Sequence, residues 1–497
     1  MTQEEKDRIV QSVPQKGFFG HPKGLFTLFF TEFWERFSYY GMRAILLYYM
    51  YSEVKKGGLG MDETTAMSIM AIYGSLVYMS GIIGGWIADR LLGSIKTVFT
   101  GGVLIMLGHI CLAMPFAQVG LFASMFLIIM GTGLLKPNVS NIVGDIYSDT
   151  DTRRDSGFSI FYMGINLGAF ISPLIVGTLG QKYNYHLGFS LAAIGMLLGL
   201  IVFAITKKKA LGLAGTHVPN PLMPGERKKV FSTIGISTVV IVLLCWFLAS
   251  EGWLTINRFI TAVSILAIII PAAYFFFMYR SPKTNADERS RLLAYIPLFI
   301  GAMMFWAIQE QGSIILAQYA DKRTELNWAG IHIESSWFQS LNPLFIVGFA
   351  PVFAWLWMKM GDRQPSTSKK FSIGLLFAGL SFLVMMIPGI MNGTDELANP
   401  WWLVLSFFLV VIGELCLSPV GLAATTKLAP AAFSAQTMSL WFLTNASAQA
   451  INANIVKLFK PETEILYFGV IGGFSILLAV ILYILSPKLQ KAMRGVN

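Results

Sequence analysis

The sequence predicts an all-α polytopic membrane protein: two six-helix bundles with an inserted two-helix hairpin, fourteen transmembrane helices in all. Three observations carry that expectation. Hydrophobic residues make up 55% of the 497 and charged residues only 13%. A soluble domain carries about 25% charged residues, so there are too few charges here to cover a water-facing surface of this size. Apolar runs long enough to cross a hydrocarbon core of about 30 Å recur along the whole chain, and the charges gather in the short connections between them.

Residues 1–24 are polar and basic with no cleavable apolar core, so they read as a cytoplasmic segment and not as a signal peptide. Apolar segments follow at 25–50, 64–88, 95–115, 119–146, 157–180 and 185–206, which form the first bundle over 25–206. Basic linkers in 207–291 flank two further segments, 230–249 and 256–279. Those two hold no charge within the membrane and form a hairpin outside the working core. The second bundle, 292–486, repeats the pattern at 292–319, 335–359, 371–390, 400–427, 433–456 and 465–486, and 487–497 is a basic cytoplasmic tail.

Orientation follows from the basic residues. Lys207-Lys208-Lys209, Arg227-Lys228-Lys229, Lys369-Lys370 and the tail all fall on one side if both termini are cytoplasmic, and the reverse orientation inverts the bias. The formal charge of +10 is therefore a topology signal and not a polyanion-binding stripe, which excludes nucleic acid as a partner. Cys111, Cys245 and Cys416 lie scattered in apolar segments and the five histidines are dispersed, so neither a disulfide frame nor a metal site is expected. There is no phosphate-cradling loop, no H-E-x-x-H and no Ser/His/Asp set, which disfavours ATP as energy source and an intramembrane enzyme. No cofactor is expected beyond protons as the coupling ion.

The chemistry lies in the charges inside the spans. The first segment carries Glu32, Glu35, Arg36 and Arg43, which fall with Tyr39 and Tyr40 in an arc of about 140° on one helix face. The fourth carries Lys136. In the second bundle the first segment carries Glu310 and the fourth Glu414. Charge at membrane depth is costly and marks pathways for ions, protons or substrate. If an axis along the membrane normal relates the halves, these four segments are equivalents and can surround one central cavity. A short glycine-containing turn with an Asp-Arg pair follows the second segment of each half, in the loop from Gly84 to Thr97 around Asp89-Arg90 and at Gly361-Asp362-Arg363, as duplication predicts.

Both signs in one cavity suit a zwitterion, with Arg36 and Lys136 for a carboxylate and Glu414 for an ammonium group. A surplus carboxylate beside a cation can load and release a proton. Aromatic residues near the charges, Tyr39, Tyr40, Tyr78, Trp306, Trp337 and Trp441, can line pockets for varied side chains. Pro137 and Pro419 break or bend their helices, as a hinge or as ordinary membrane kinks. Asn166 is a mid-span amide that serves either substrate or a helix contact. Gly81, Gly84 and Gly85 suggest close helix packing.

Glu32-x-x-Glu35-Arg36-Phe37-x-Tyr39-Tyr40, the loop from Gly84 to Thr97, Phe161-Tyr162-x-x-Ile165-Asn166-x-Gly168 and Gln309-Glu310-Gln311-Gly312-Ser313 resemble the proton-dependent oligopeptide transporters of the major facilitator superfamily. The likeness spans nearly the whole chain, and the inserted hairpin resembles the bacterial branch. It implies a major facilitator fold and proton-coupled uptake of di- and tripeptides across the plasma membrane by alternating access, without enzymatic activity. It also implies roles for individual residues. Glu32, Glu35, Arg36 and Glu310 would couple protons. Arg36, Tyr40 and Lys136 would receive the peptide carboxylate, and Asn166, Asn342 and Glu414 its amino terminus. Tyr39, Tyr78, Trp306, Trp441 and Phe442 would shape side-chain pockets. Arg43–Glu310 and Lys136–Glu414 would be gate salt bridges on opposite sides, and Asp89 and Arg90 would belong to the conformational-switch loop. A carrier of another small anion or zwitterion, such as nitrate or an amino acid, is the alternative, with a non-transporting peptide receptor behind it. Monomeric function is the expectation, because both halves of the cavity lie in one chain.

Overall fold

Each apolar run of the sequence folds into helix, because a bilayer core offers the backbone no partner other than itself; the run 292–319 is broken after Glu310 by Gln311–Ser313 and resumes as a short helix, Ile315–Lys322. The computed structural model describes residues 3–148 and 150–495; residues 1, 2, 149, 496 and 497, and with them the outermost parts of both terminal segments, lie outside it. The long helices are α1 (Gly24–Tyr51), α2 (Glu63–Ile87), α3 (Ser94–Ala113), α4 (Ala117–Asp145), α5 (Arg154–Ser172), α6 (Tyr185–Ala210), α7 (Pro224–Ser250), α8 (Ile256–Arg280), α9 (Ala286–Glu310), α10 (Leu341–Met360), α11 (Thr367–Asn392), α12 (Trp401–Leu428), α13 (Ser434–Ile455) and α14 (Glu464–Ala492).

Twelve of these are long and apolar enough to cross a membrane. The two others, α1 and α13, are long enough but carry too much polarity for that test, and both are surrounded by other helices. The two ends of the chain also differ from the sequence expectation. The last helix runs through Pro487 to Ala492, since a proline removes only one donor and the final turn has water to replace it. A short helix, Gln3–Ser12, folds the N-terminal segment back onto α4. Pro137 and Pro419 likewise leave α4 and α12 continuous.

The halves are built alike. In the first, α1 packs on α4, α5 and α6, α4 on α2, α3 and α5, and α3 on α6; in the second, α9 packs on α12, α13 and α14, α12 on α10, α11 and α13, and α11 on α14. The same arrangement is repeated eight helices later. The contacts between halves are reciprocal too, α2 with α13 and α5 with α10. The hairpin docks mainly through α8, which touches α2, α9 and α13; α7 has no buried residue and reaches the first bundle at its first turn, where Glu226 meets Arg90.

Local chemistry fixes the joints. Gly84 on α2 lies backbone to backbone against Gly133 on α4, where any side chain would clash; Gly81 and Gly85 meet nothing. Gly93 turns α2 into α3 with a φ of 74° that only glycine adopts without strain. Asn285 and Glu288 form the capping box that starts α9. Among the described residues the one sheet is a hairpin of two-residue strands, β1 (Asn327–Trp328) with β2 (Ile331–His332), paired antiparallel around Ala329-Gly330.

On the side remote from the termini, Arg323 donates to both oxygens of Glu464, at 2.9 and 3.2 Å, and to Gly393 O. This clip binds the segment after α9 to α11 and α14. Glu464 is 1% exposed, so losing its partner strands a buried charge. We expect Arg323→Met to cost about 3–5 kcal/mol and Arg323→Met with Glu464→Leu to recover most of it, read as melting temperatures of the purified protein.

Candidate functional site

The polar face of α1 turns inward. Glu32, Glu35, Arg36 and Arg43 are all buried, and α9 and α12 bring Glu310 and Glu414 to the opposite wall. Between the halves lies a cavity of about 360 Å³. From the first half it is lined by Glu32, Arg36, Tyr40 and Arg43 of α1, Tyr78 of α2, Lys136 of α4 and Tyr162 and Asn166 of α5. From the second it is lined by Trp306, Gln309 and Glu310 of α9, Asn342 of α10, Glu414 of α12 and Trp441, Phe442 and Asn445 of α13. The cavity lies where the sequence places equivalent helices of the two bundles together.

Arg36 carries the first charge cluster. Its Nε donates to Glu35 and lies 3.1 Å from Glu32 Oε1, while its Nη2 is buried and has no partner among the described residues. The guanidinium also lies over the rings of Tyr39 and Tyr40, at 5.4 and 5.9 Å. Glu310 carries the second cluster. One of its oxygens receives Arg43 Nη2 at 2.5 Å and Gln449 Nε2 at 2.6 Å; the other receives Asn445 Nδ2 at 3.1 Å and Tyr78 Oη at 3.4 Å.

The expected Lys136–Glu414 bridge is not formed. Lys136 Nζ sits over the Tyr78 ring at 4.7 Å, and Glu414 instead accepts from Gln309 Nε2 at 2.8 Å and Asn342 Nδ2 at 3.3 Å. The physical reason is the conformation: the halves are tied together on the side remote from the termini. There Tyr48 donates to Ala317 O, Tyr51 to Asp321, Gln181 to Ser335 and Trp337 to Thr178, and Ser340 donates to Phe170 O. Arg43–Glu310 belongs to that closed side. With it shut, Lys136 and Glu414 line the cavity from opposite halves, and neither forms a salt bridge among the described residues.

Other expected site residues take different places. Glu35 and Tyr39 do not reach the cavity; both stand behind Arg36 and support it. Trp337 belongs to the remote-side seal. Asp89 and Arg90 lie in the turn Ala88–Leu92, far from the cavity along α2. The linker and the first turn of α7 clasp that turn, with Asn220 N on Asp89 O, Leu222 N on Arg90 O, and Glu226 of α7 3.1 Å from Arg90. Sequence reasoning passed over Tyr162, Gln309, Asn445 and Gln449. Tyr162 stood inside a motif that singled out its neighbour Asn166. The amides carry no charge and do not stand out among the many neutral polar residues. No cluster of His, Cys, Asp and Glu suited to a metal occurs among the described residues.

A model of the POT family matches residues 95–473. The chain is 65% identical to an uncharacterized transporter, YclF, of Bacillus subtilis (strain 168), covering 100% of both. It is 50% identical to a di-/tripeptide transporter of Lactococcus lactis subsp. cremoris, over 97% of this chain and 99% of the other. It superimposes with a TM-score of 0.97 on a crystal structure of a peptide transporter POT in complex with sulfate, at 66% identity and covering 99% of each chain.

If Arg43–Glu310 locks the remote side, breaking it frees that seal. We expect Arg43→Gln to raise at least threefold the rate at which an impermeant maleimide labels Ser335→Cys, a seal position that is buried. The background would have Cys111, Cys245 and Cys416 replaced by serine. An unchanged rate removes the pair from the gate.

Proposed function

The chain belongs to the POT family, and from that premise we propose that it takes up di- and tripeptides by proton-coupled symport and alternating access. The observation that carries the reading is the leftover pair of charges, Lys136 on one wall and Glu414 on the other. A peptide zwitterion is complementary to that field. Its carboxylate meets Lys136, the unpartnered Nη2 of Arg36 and the Tyr40 hydroxyl. Its ammonium meets Glu414, flanked by Asn342, with Asn166 on the facing wall. Trp306, Trp441, Phe442, Tyr78 and Tyr162 present apolar walls to the side chains between. A volume of about 360 Å³ lies in the range of small-molecule sites and admits a few residues, not a long chain.

Proton coupling follows from the arithmetic of the buried set. Arg36 with Glu32 and Glu35 sums to −1, Arg43 with Glu310 to 0, Lys136 to +1 and Glu414 to −1, for a total of −1. One proton makes the set neutral. The Arg36 cluster holds the surplus carboxylate next to the group that binds peptide, so arrival of a peptide carboxylate at Arg36 competes with Glu32 and Glu35 for that cation and favours their protonation. Lys136–Glu414 closes the terminal side when the halves rock, as Arg43–Glu310 closes the other. The clasped turn at Asp89 and Arg90 ties that motion to the linker. In this reading the terminal side faces the cytoplasm across the plasma membrane, and a single chain suffices.

The test is uptake by proteoliposomes under an inward proton gradient. We expect labelled dipeptide to accumulate, unlabelled di- and tripeptides to compete, and free amino acids or nitrate to fail to compete. Glu35→Gln should cut gradient-driven uptake about tenfold or more while peptide exchange without a gradient persists. Uptake indifferent to the gradient would remove the coupling; equal competition by amino acids would reassign the substrate.

A further inference from the structure

Helix α13 has no charged residue, yet it supplies two of the four donors on Glu310, Asn445 Nδ2 and Gln449 Nε2. The amide oxygens of the same two residues, Asn445 Oδ1 and Gln449 Oε1, are buried and have no partner among the described residues. Asn452, lower on the same helix, shows what a purely structural amide looks like here. It donates to Ala307 O at 3.0 Å and accepts from Gln311 at 3.0 Å, so both ends are used. Asn445 and Gln449 are half used, and the used half faces the carboxylate.

A buried polar atom without a partner costs stability, and two beside one carboxylate require a reason. We propose that Asn445 and Gln449 are positioning residues that hold Glu310 in both its charged and its protonated form. While Glu310 is ionised it accepts from Arg43, and the amides present N–H. When its carboxyl takes a proton and Arg43 is released, the acid has an O–H to donate, and a half-turn of an amide replaces N–H by C=O in the same place. The amide thus matches either state without a second charge, and lets the pair open without stranding Glu310. This rests on the proton-coupled reading above and adds Glu310 to the Arg36 cluster as a second carboxyl that takes up a proton in the cycle.

The surroundings permit it. The charged and titratable groups facing Glu310 are Arg43, Tyr39 and Tyr40 from α1, Tyr78 from α2, Lys136 from α4 and Glu414 from α12. α13 contributes amides only. Gly74 on α2 leaves the space that the Gln449 amide occupies, since a Cβ there would stand 2.6 Å from Nε2 and 3.0 Å from Cδ. Gly74→Ala therefore displaces the amide from a neighbouring helix without altering Glu310, Arg43 or any residue lining the cavity.

The experiment uses proteoliposomes of the full chain, Gln449→Leu and Gly74→Ala. It measures gradient-driven dialanine uptake against external pH and dialanine exchange without a gradient. Charge-assisted bonds to the ionised carboxylate are stronger than those to the neutral acid, so losing the amide penalises the charged state more. We expect the pH of half-maximal gradient-driven uptake to rise by about one unit, a tenfold change in proton affinity, in both variants, with exchange kept within about twofold in Gly74→Ala. If Gln449→Leu fails to fold, Gly74→Ala, which retains the amide, carries the test. A wild-type midpoint in either folded variant overturns the assignment. Uptake by the unaltered chain that ignores the gradient instead sinks the coupling on which the assignment rests.

Discussion

Charge withdrawn from water must be met by charge or by fixed dipoles, and in this protein that requirement ties α1, α4, α9 and α12 into one machine. Seven ionisable groups lie between two bundles where an apolar core would be cheaper. Arg36 is met by Glu32 and Glu35, and Arg43 by Glu310. Lys136 and Glu414 have no ion-pair partner among the described residues: Lys136 lies over the Tyr78 ring on one wall, and Glu414 accepts from Gln309 and Asn342 on the other. Replacing all of these groups by apolar residues would satisfy stability alone. Their placement makes sense only if something else arrives to complete the balance. A zwitterion does so without changing the total, and a proton supplies the single charge the set lacks.

Duplication explains how such a balance can shift. The reciprocal interfaces, α2 with α13 and α5 with α10, are the same surface used twice. A rotation of one half against the other therefore loosens one end of each interface as it tightens the other. Polar bonds from Tyr48, Tyr51, Gln181, Trp337 and Ser340 fasten the remote end, and the pair left open lies toward the terminal end. Salt bridges suit this task because their partners are stable only together. In the proposed cycle each gate is held by the cost of leaving its charges apart, and peptide or proton lowers that cost by standing in for one partner.

Much of this was legible in the sequence, and what was not has identifiable causes. The fourteen helical segments and the charged face of α1 follow from hydropathy and helical periodicity, properties that survive without coordinates, whereas the contact of Arg43 with Glu310 was expected only from the family resemblance. Lys136–Glu414 could not be read as open or closed, because the same sequence must support both. Glu35 and Tyr39 share the arc of Arg36, but an arc does not say which side chains reach the cavity and which stand behind it. The hairpin at Asn327–His332 depends on two consecutive positive φ values at Ala329 and Gly330, and alanine gives no warning of that. Asn445 and Gln449 were invisible for a different reason: neutral amides become chemistry only when something charged stands next to them.

That last point bears on where function lies in a membrane chain. α7 is among the most apolar helices and no part of it is buried. α13 is too polar to pass as a span on composition, yet Thr437, Thr444, Asn445, Ser447, Gln449 and Asn452 along it are all buried. In a soluble protein burial and apolarity rise together; here they run opposite, since lipid is the apolar phase and the interior holds the water-like path. The least membrane-like helices are therefore those the mechanism uses. α1 announces itself by its charges. α13 carries none because a second fixed charge beside Glu310 would commit that carboxyl to one protonation state, and a carrier that must cycle needs a neighbour equally at ease with both.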